Sequence, residues 1–134
     1  MSNLPVEDRP MIINELGEVS SKRLYDEINK IKDGMLVELG VYQGASSRLL
    51  IDKCLENNNK VYGIDPVPYF NSNNPNYQYM RADSVLTGKE WERGDVDLVF
   101  FDSVHAKEQV LCELFYWWDL IKEGGKAIFH DTSW

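Results

Sequence analysis

The chain has 134 residues, 43% hydrophobic and 27% charged, which suits one globular domain and leaves no room for a second core. With 14 basic against 22 acidic residues the net charge is −8, which argues against a nucleic-acid backbone or an anionic membrane surface as the main partner. The 2 cysteines lack CxxC or zinc-ligand spacing, the start "MSNLPVEDRP" lacks the apolar core of a signal peptide, and no apolar run reaches the ~20 residues of a membrane span. The expected location is therefore the cytoplasm.

Residues 1–19 have no clear period and contain two early prolines, so they read as an N-terminal arm, with the domain proper over 20–134. "SSKRLYDEINKIKDG" places Leu24, Ile28 and Ile31 on one helical face, with Ser20 or Ser21 to cap it and Gly34 to stop it. "MLVEL" is a short apolar run, expected to be a buried strand. "ASSRLLIDKCLEN" returns to helical spacing through Leu50, Ile51, Cys54 and Leu55. "KVYGID" is a second strand, and the Pro- and Asn-rich stretch after it is a loop. "YQYMRAD" is a third strand, "SVLTGKEWERG" a short helix opened by Ser84, and "VDLVFFD" a fourth strand. "AKEQVLCELFYWWDLIKEGG" predicts a long helix ending at Gly124, with Leu111, Leu114, Phe115, Trp118 and Ile121 as its apolar stripe. "KAIFHD" is a fifth strand. Short apolar strands separated by helices predict an α/β, Rossmann-like, doubly wound parallel sheet.

Ligands of open α/β sheets bind outside the carboxyl ends of the strands. The five predicted strands end in Glu38, Asp65, Asp83, Asp102 and the pair His130–Asp131, so each delivers a carboxylate to one edge. Like charges gathered at one place are costly unless a cation or a set of hydroxyls sits among them. Each acid also has a local structural alternative: Asp65 before Pro66 can begin a turn, and Asp83 and Asp131 can cap helices.

The first turn reads E-x-G-x-x-x-G over Glu38, Gly40 and Gly44, not the GxGxxG of dinucleotide sites. Glu38 would repel a pyrophosphate, and the absence of GK[ST] rules out a P-loop. Gly40 permits a tight turn, Gly44 permits close approach to a helix start, and Ser46 at that start can take a carboxylate. Asp65 lies 25 residues after Gly40, about where the ribose-binding acid falls in nucleotide-binding βαβ units. An amino-acid head, a positive sulfur, a ribose and a base satisfy all of these together, which describes S-adenosylmethionine.

The segments "VELGVYQGASS", "VYGIDPV", "RADS", "LVFFDSVHAKEQVLCEL" and "GGKAIFHD" resemble class I S-adenosylmethionine-dependent methyltransferases. The branch they are most similar to holds the small-molecule enzymes related to macrocin O-methyltransferase and the cephalosporin hydroxylase-like proteins. The resemblance implies an enzyme that methylates a small-molecule acceptor, with a hydroxyl oxygen as the expected target. It places Glu38, Gly40 and Gly44 around the methionine moiety, Asp65 at the ribose, and Asp83 and Ser84 beside the adenine; Tyr42 and Ser46, in the same segment as the glycines, are expected to bind the cofactor too. It places Asp102 and His105, as "D-x-x-H", near the reactive methyl. His105 is the expected base, since its unperturbed pKa is near neutrality, and Asp102 would orient it. A divalent metal such as magnesium would fall to Asp102 and Asp131. Relatives carry a second acid where this chain has His130, which is expected to be structural.

The family sheet has seven strands, the last two forming an antiparallel hairpin beside the fifth. Here the expected order is 3-2-1-4-5 without strands 6 and 7, which leaves the fifth strand as an unpaired edge. Tyr116, Trp117 and Trp118 together exceed what one helix face buries, so either the chain is part of a longer protein or another subunit covers this region, and a homo-oligomer, a dimer first, is expected. A catalytically degenerate S-adenosylmethionine-binding module acting through a protein partner is the rival reading. A nicotinamide-binding protein is a third, and Glu38 speaks against it.

Overall fold

The computed structural model describes residues 11–15, 26–40, 52–54, 56–67, 73–101 and 107–130. Its centre is a parallel sheet of strands β1 (Met11–Glu15), β2 (Met35–Leu39), β3 (Lys60–Ile64), β4 (Tyr77–Met80), β5 (Val96–Phe101) and β6 (Ile121–His130). The spatial order is β1-β6-β5-β2-β3-β4, and every pair runs parallel. β2 to β6 are the five expected strands in the expected order, 3-2-1-4-5.

The sixth strand is a departure from the sequence reading. Met11–Glu15 lie inside the expected arm, yet they pair along β6 from Met11 opposite Lys126 to Glu15 opposite His130. β6 is therefore not an edge: β1 holds the flank where the resemblance puts an antiparallel hairpin. A strand of 5 residues with no alternation, paired among the described residues with β6 alone, leaves no periodic signal to read.

Alternation along the strands divides the core in two. Val37, Leu39, Tyr62, Ile64, Val99, Phe101, Ala127 and Phe129 face the long helix Lys107–Trp117 on one side. Leu36, Val61, Leu98, Phe100 and Ile128 face Ile28 and Cys54, from the helical segments at 26–29 and 52–54, on the other. The sheet is thus doubly wound, and successive residues of β2 and β5 are buried on opposite faces, which explains why both strands are largely apolar.

The long helix differs from expectation in two ways. It ends at Trp117, passes through a 3₁₀ turn at Trp118–Leu120, and the chain re-enters the sheet at Ile121. Ile121 pairs with Val96 and Lys126 with Leu98, so Asp97 alone stands opposite Lys122, Glu123, Gly124 and Gly125. Gly124 has φ +77°, and a Cβ on Gly125 would fall 2.5 Å from Ile121 Cγ2, so the two glycines make this loop-out possible.

The stripe also sits in another register. Val110, Glu113 and Trp117 are buried, whereas Leu111 and Phe115 are 47% and 58% exposed. The true stripe contains a carboxylate, which hides it from an apolar pattern. Trp117 is fully buried, Trp118 is 8% exposed, and Tyr116 is partly buried. Trp117 and Trp118 are therefore buried within the chain, while Phe115 of the same helix is exposed.

Close packing joins this helix to the short helix Ser84–Lys89. Trp117 Nε1 donates to the Ser84 carbonyl at 2.9 Å, and Trp91 lies 5.0 Å from the Trp117 ring. A Cβ on Gly88 would stand 2.5 Å from Trp117 Nε1. Gly88→Ala is therefore expected to destabilise the fold by about 2 kcal/mol through overpacking, measured as a lower urea midpoint at unchanged slope.

Candidate active site at the carboxyl edge of the sheet

The chain runs from β2 outward through β3 to β4, then crosses to β5 on the other side of β2. The strand order reverses there, so the crevice lies beside the carboxyl end of β2. Glu38 sits at that end, 1% exposed, with Gly63 opposite on one side and Phe100 on the other. By alternation it shares the face of Leu36. Gly63 carries no side chain to crowd it.

Gly40 follows at φ 90°, a conformation that side-chain-bearing residues rarely adopt, and its N–H donates to the Ile64 carbonyl at 2.9 Å. The chain thus stays paired with β3 to its last residue before the turn.

Asp65 follows β3 and is 8% exposed. Its Oδ1 accepts from the Val67 N–H at 2.8 Å, closing a turn over Pro66. Its backbone is fixed from β4: its N–H donates to the Met80 carbonyl, and its own carbonyl accepts from Ala82 N–H at 3.3 Å and from the Tyr79 hydroxyl at 2.7 Å. Burial, then the Asp65 carboxylate, raises the Tyr79 phenol, with Arg81 opposing.

Asp83 caps the short helix, accepting from Leu86 N–H at 2.9 Å, while the Thr87 hydroxyl donates to its carbonyl at 2.6 Å. Ser84 turns inward. It is 5% exposed, its hydroxyl donates to Glu113 Oε2 in a short bond, and it accepts from Gln109 Nε2 at 3.2 Å. The Ser84 hydroxyl thus ties the short helix to the long one.

Of the site residues expected from sequence, Glu38, Gly40, Asp65, Asp83 and Ser84 come together at the ends of three adjacent strands, β2, β3 and β4. Tyr42, Gly44, Ser46, Asp102, His105 and Asp131 lie outside the described residues, as does the His130 side chain. Among the described residues no group of three or more His, Cys, Asp or Glu could hold a metal ion. No described helix is long and apolar enough to cross a membrane.

Residues 37–132 match a family described as a methyltransferase domain, well over half of the chain. The chain belongs to this family. No curated protein matches it by sequence. Among solved structures it is similar to MycE methyltransferase from the mycinamycin biosynthetic pathway in complex with Mg and SAH, with TM-score 0.62 at 16% identity over 81% of this chain and 32% of that one. A second MycE complex, with Mg, SAH and mycinamycin VI, gives TM-score 0.64 at 16% identity over 81% and 31%. A putative protein-L-isoaspartate O-methyltransferase from Plasmodium falciparum, in complex with S-adenosyl-L-homocysteine, gives 0.54 at 20% identity over 98% and 71%. At these identities the likeness establishes the fold. The chain spans about a third of the length of MycE.

The methyltransferase domain also contains site-edge residues that sequence reasoning passed over. Tyr79 and Arg81 brace the Asp65 turn, Arg81 by donating from Nε to the Pro66 carbonyl at 3.2 Å. Glu113 and Gln109 brace Ser84 from the long helix. Their signal was the spacing of Gln109, Glu113 and Trp117 at i, i+4 and i+8, one helical face on which a carboxylate is out of place unless partnered.

At the opposite, amino end of the strands lies a groove of about 370 Å³, lined by Asp33, Asn58, Lys60, Asn76, Asp95 and Asp97 among others. Its side chains are largely committed to structure. Asn58 donates to Asp33 at 2.8 Å, and Asp97 accepts from Met35 N–H at 2.8 Å and pairs with Lys122. The switch point and the gathered carboxylates favour the carboxyl edge, despite the size of this groove.

Burial pushes the Cys54 thiol up to about 12; a hydrogen bond with Asn59 pulls it down and the nearby Glu38 carboxylate adds to the rise. Burial likewise raises the Tyr77 phenol, with Glu38 next in weight. The thiolate is the reactive form, so buried Cys54 is expected to resist iodoacetamide at about pH 8, whereas exposed Cys112 is accessible. Mass spectrometry is expected to find Cys112 alone labelled in the native protein and both cysteines labelled in urea.

Proposed function

We propose that this chain binds S-adenosylmethionine across the carboxyl ends of β2, β3 and β4 and transfers its methyl group to a hydroxyl of a small-molecule acceptor. The observation that carries this reading is the convergence of Glu38, Gly40, Asp65 and Asp83 at the switch point of a methyltransferase-domain fold. The donor set suits the ligand. Carboxylates accept from ribose hydroxyls and from an ammonium group, and they favour a cationic sulfonium where they would repel a pyrophosphate.

S-adenosylmethionine supplies a methyl group already activated on a sulfonium. The chain has to hold, align and exclude water. Gly40 shapes the floor of the turn under the amino-acid head. Asp65, fixed by Val67, Tyr79 and Ala82, takes the ribose hydroxyls. The Asp83–Ser84 corner stands beside the base. His105 takes the proton of the acceptor hydroxyl, oriented by Asp102, at a pKa suited to neutral pH. A magnesium requirement would rest on Asp102 and Asp131, and the Mg named in the MycE complexes supports testing for it. The acceptor class rests on the sequence resemblance and on MycE.

Calorimetric titration with S-adenosylmethionine, S-adenosylhomocysteine and NAD tests the binding half. Both sulfur ligands are expected to bind and NAD to fail. Asp65→Ala is expected to weaken S-adenosylhomocysteine by about 10- to 100-fold, the loss of one or two charge-assisted hydrogen bonds. Methyl release against sugars and catechols, with magnesium or with a chelator, tests the transfer half. Binding without release on any acceptor would support the degenerate module instead, and no binding of either sulfur ligand would refute the proposal.

A further inference from the structure

We propose that Glu113, with Gln109, is a positioning residue for the nucleoside end of the site, acting through Ser84; this rests on the methyl-donor reading above. Glu113 is on the long helix, fully buried, 29 residues along the chain from Ser84. Its Oε2 accepts the Ser84 hydroxyl, and Gln109 Nε2 donates to Ser84 Oγ at 3.2 Å and reaches Glu113 Oε2 at 3.5 Å. One turn further on, Trp117 Nε1 donates to the Ser84 carbonyl at 2.9 Å. Three side chains of one helix thus fix a single residue, at both its hydroxyl and its carbonyl.

That residue follows the short connection from β4, residues 81–83. Ala82 N–H donates to the Asp65 carbonyl, and Asp83 is spent on the helix cap. The corner from Asp65 through Ala82 to Ser84 is therefore tethered to β3 at one end and to the long helix at the other. A short helix of 6 residues has little stability of its own, so its start is held in place by these contacts. A buried carboxylate is an expensive way to pack two helices, where an apolar pair would serve. Its use here is directional: an acceptor oxygen fixes where the Ser84 hydroxyl points and hence where the Asp83 carboxyl end stands.

The test is calorimetric titration of S-adenosylhomocysteine and of adenosine alone into wild type, Glu113→Ala and Glu113→Gln, each well below its unfolding midpoint by circular dichroism. Glu113→Ala is expected to weaken both ligands by about tenfold, the worth of one misplaced buried hydrogen-bonding group. Glu113→Gln keeps an acceptor oxygen for Ser84 and is expected to restore both to within about threefold. A purely structural role would lower the midpoint of Glu113→Ala and leave affinity of the folded protein unchanged, and that result overturns the inference, as does a failure of Gln to rescue. If Glu113→Ala does not fold, Gln109→Ala decides: a loss of about threefold or more sustains the inference and unchanged affinity overturns it. A wild-type chain that binds no S-adenosylhomocysteine overturns the methyl-donor reading with it, which sets that failure apart from wild type and variant binding alike.

Discussion

β2 is hydrogen-bonded on both sides, to β3 and to β5, and the chain leaves it in opposite directions. The reversal opens a crevice at its carboxyl end and fixes what stands there. Glu38 is held there by two neighbouring strands, and Gly40 follows at φ 90°. A carboxylate buried to this degree costs several kcal/mol unless its surroundings or a ligand compensate. Under the proposed function, the methyl donor is a ligand that would contribute to that compensation at Glu38.

The frame around β2 is fixed at its other end by side chains rather than by the core. Asn59, fully buried, accepts from Gly34 N–H at 2.7 Å and donates to the Ile31 carbonyl at 2.7 Å, while its own N–H bonds Cys54. Asp97 holds the first residue of β2 and pairs with Lys122 across the bulge of β6. Buried hydrogen bonds of this kind each contribute about 1 kcal/mol net, but leaving one partner alone costs more. They set the register at the amino end, and a parallel register carried to the carboxyl end places Glu38, Asp65 and the turn at Ala82 side by side. The site inherits its geometry from contacts at the far edge of the sheet.

β2, β3 and β5 were legible because burial on both faces leaves largely apolar runs, and the acids at their ends stand out against those runs. The order of the strands followed from the family resemblance. β1 was not legible: "MIINE" is short, single-sided and set in a polar segment. The helix before β6 was misjudged at both its stripe and its end. Glu113 interrupts the apolar spacing that Val110 and Trp117 carry, so the neighbouring register of Leu111 and Phe115 looked better. The glycine pair at Gly124 and Gly125 looked like a helix stop, but it marks a loop-out inside a strand that has already begun. Ser84 was legible as a helix start and not as a packing group, because its partner lies 29 residues away. Asp65 and Asp83 had both a local and a functional reading. The structure contains the local contacts, and these fix the two acids at the edge where the functional reading needs them.

The most direct test of this account is a crystal structure of the chain with S-adenosylhomocysteine. The account predicts density across the carboxyl ends of β2 to β4, with the amino-acid head over Gly40 near Glu38 and the ribose hydroxyls on the Asp65 carboxylate. Density in the groove at Asp33 and Asp97 instead, or a ligand whose ribose lies away from Asp65, would contradict it.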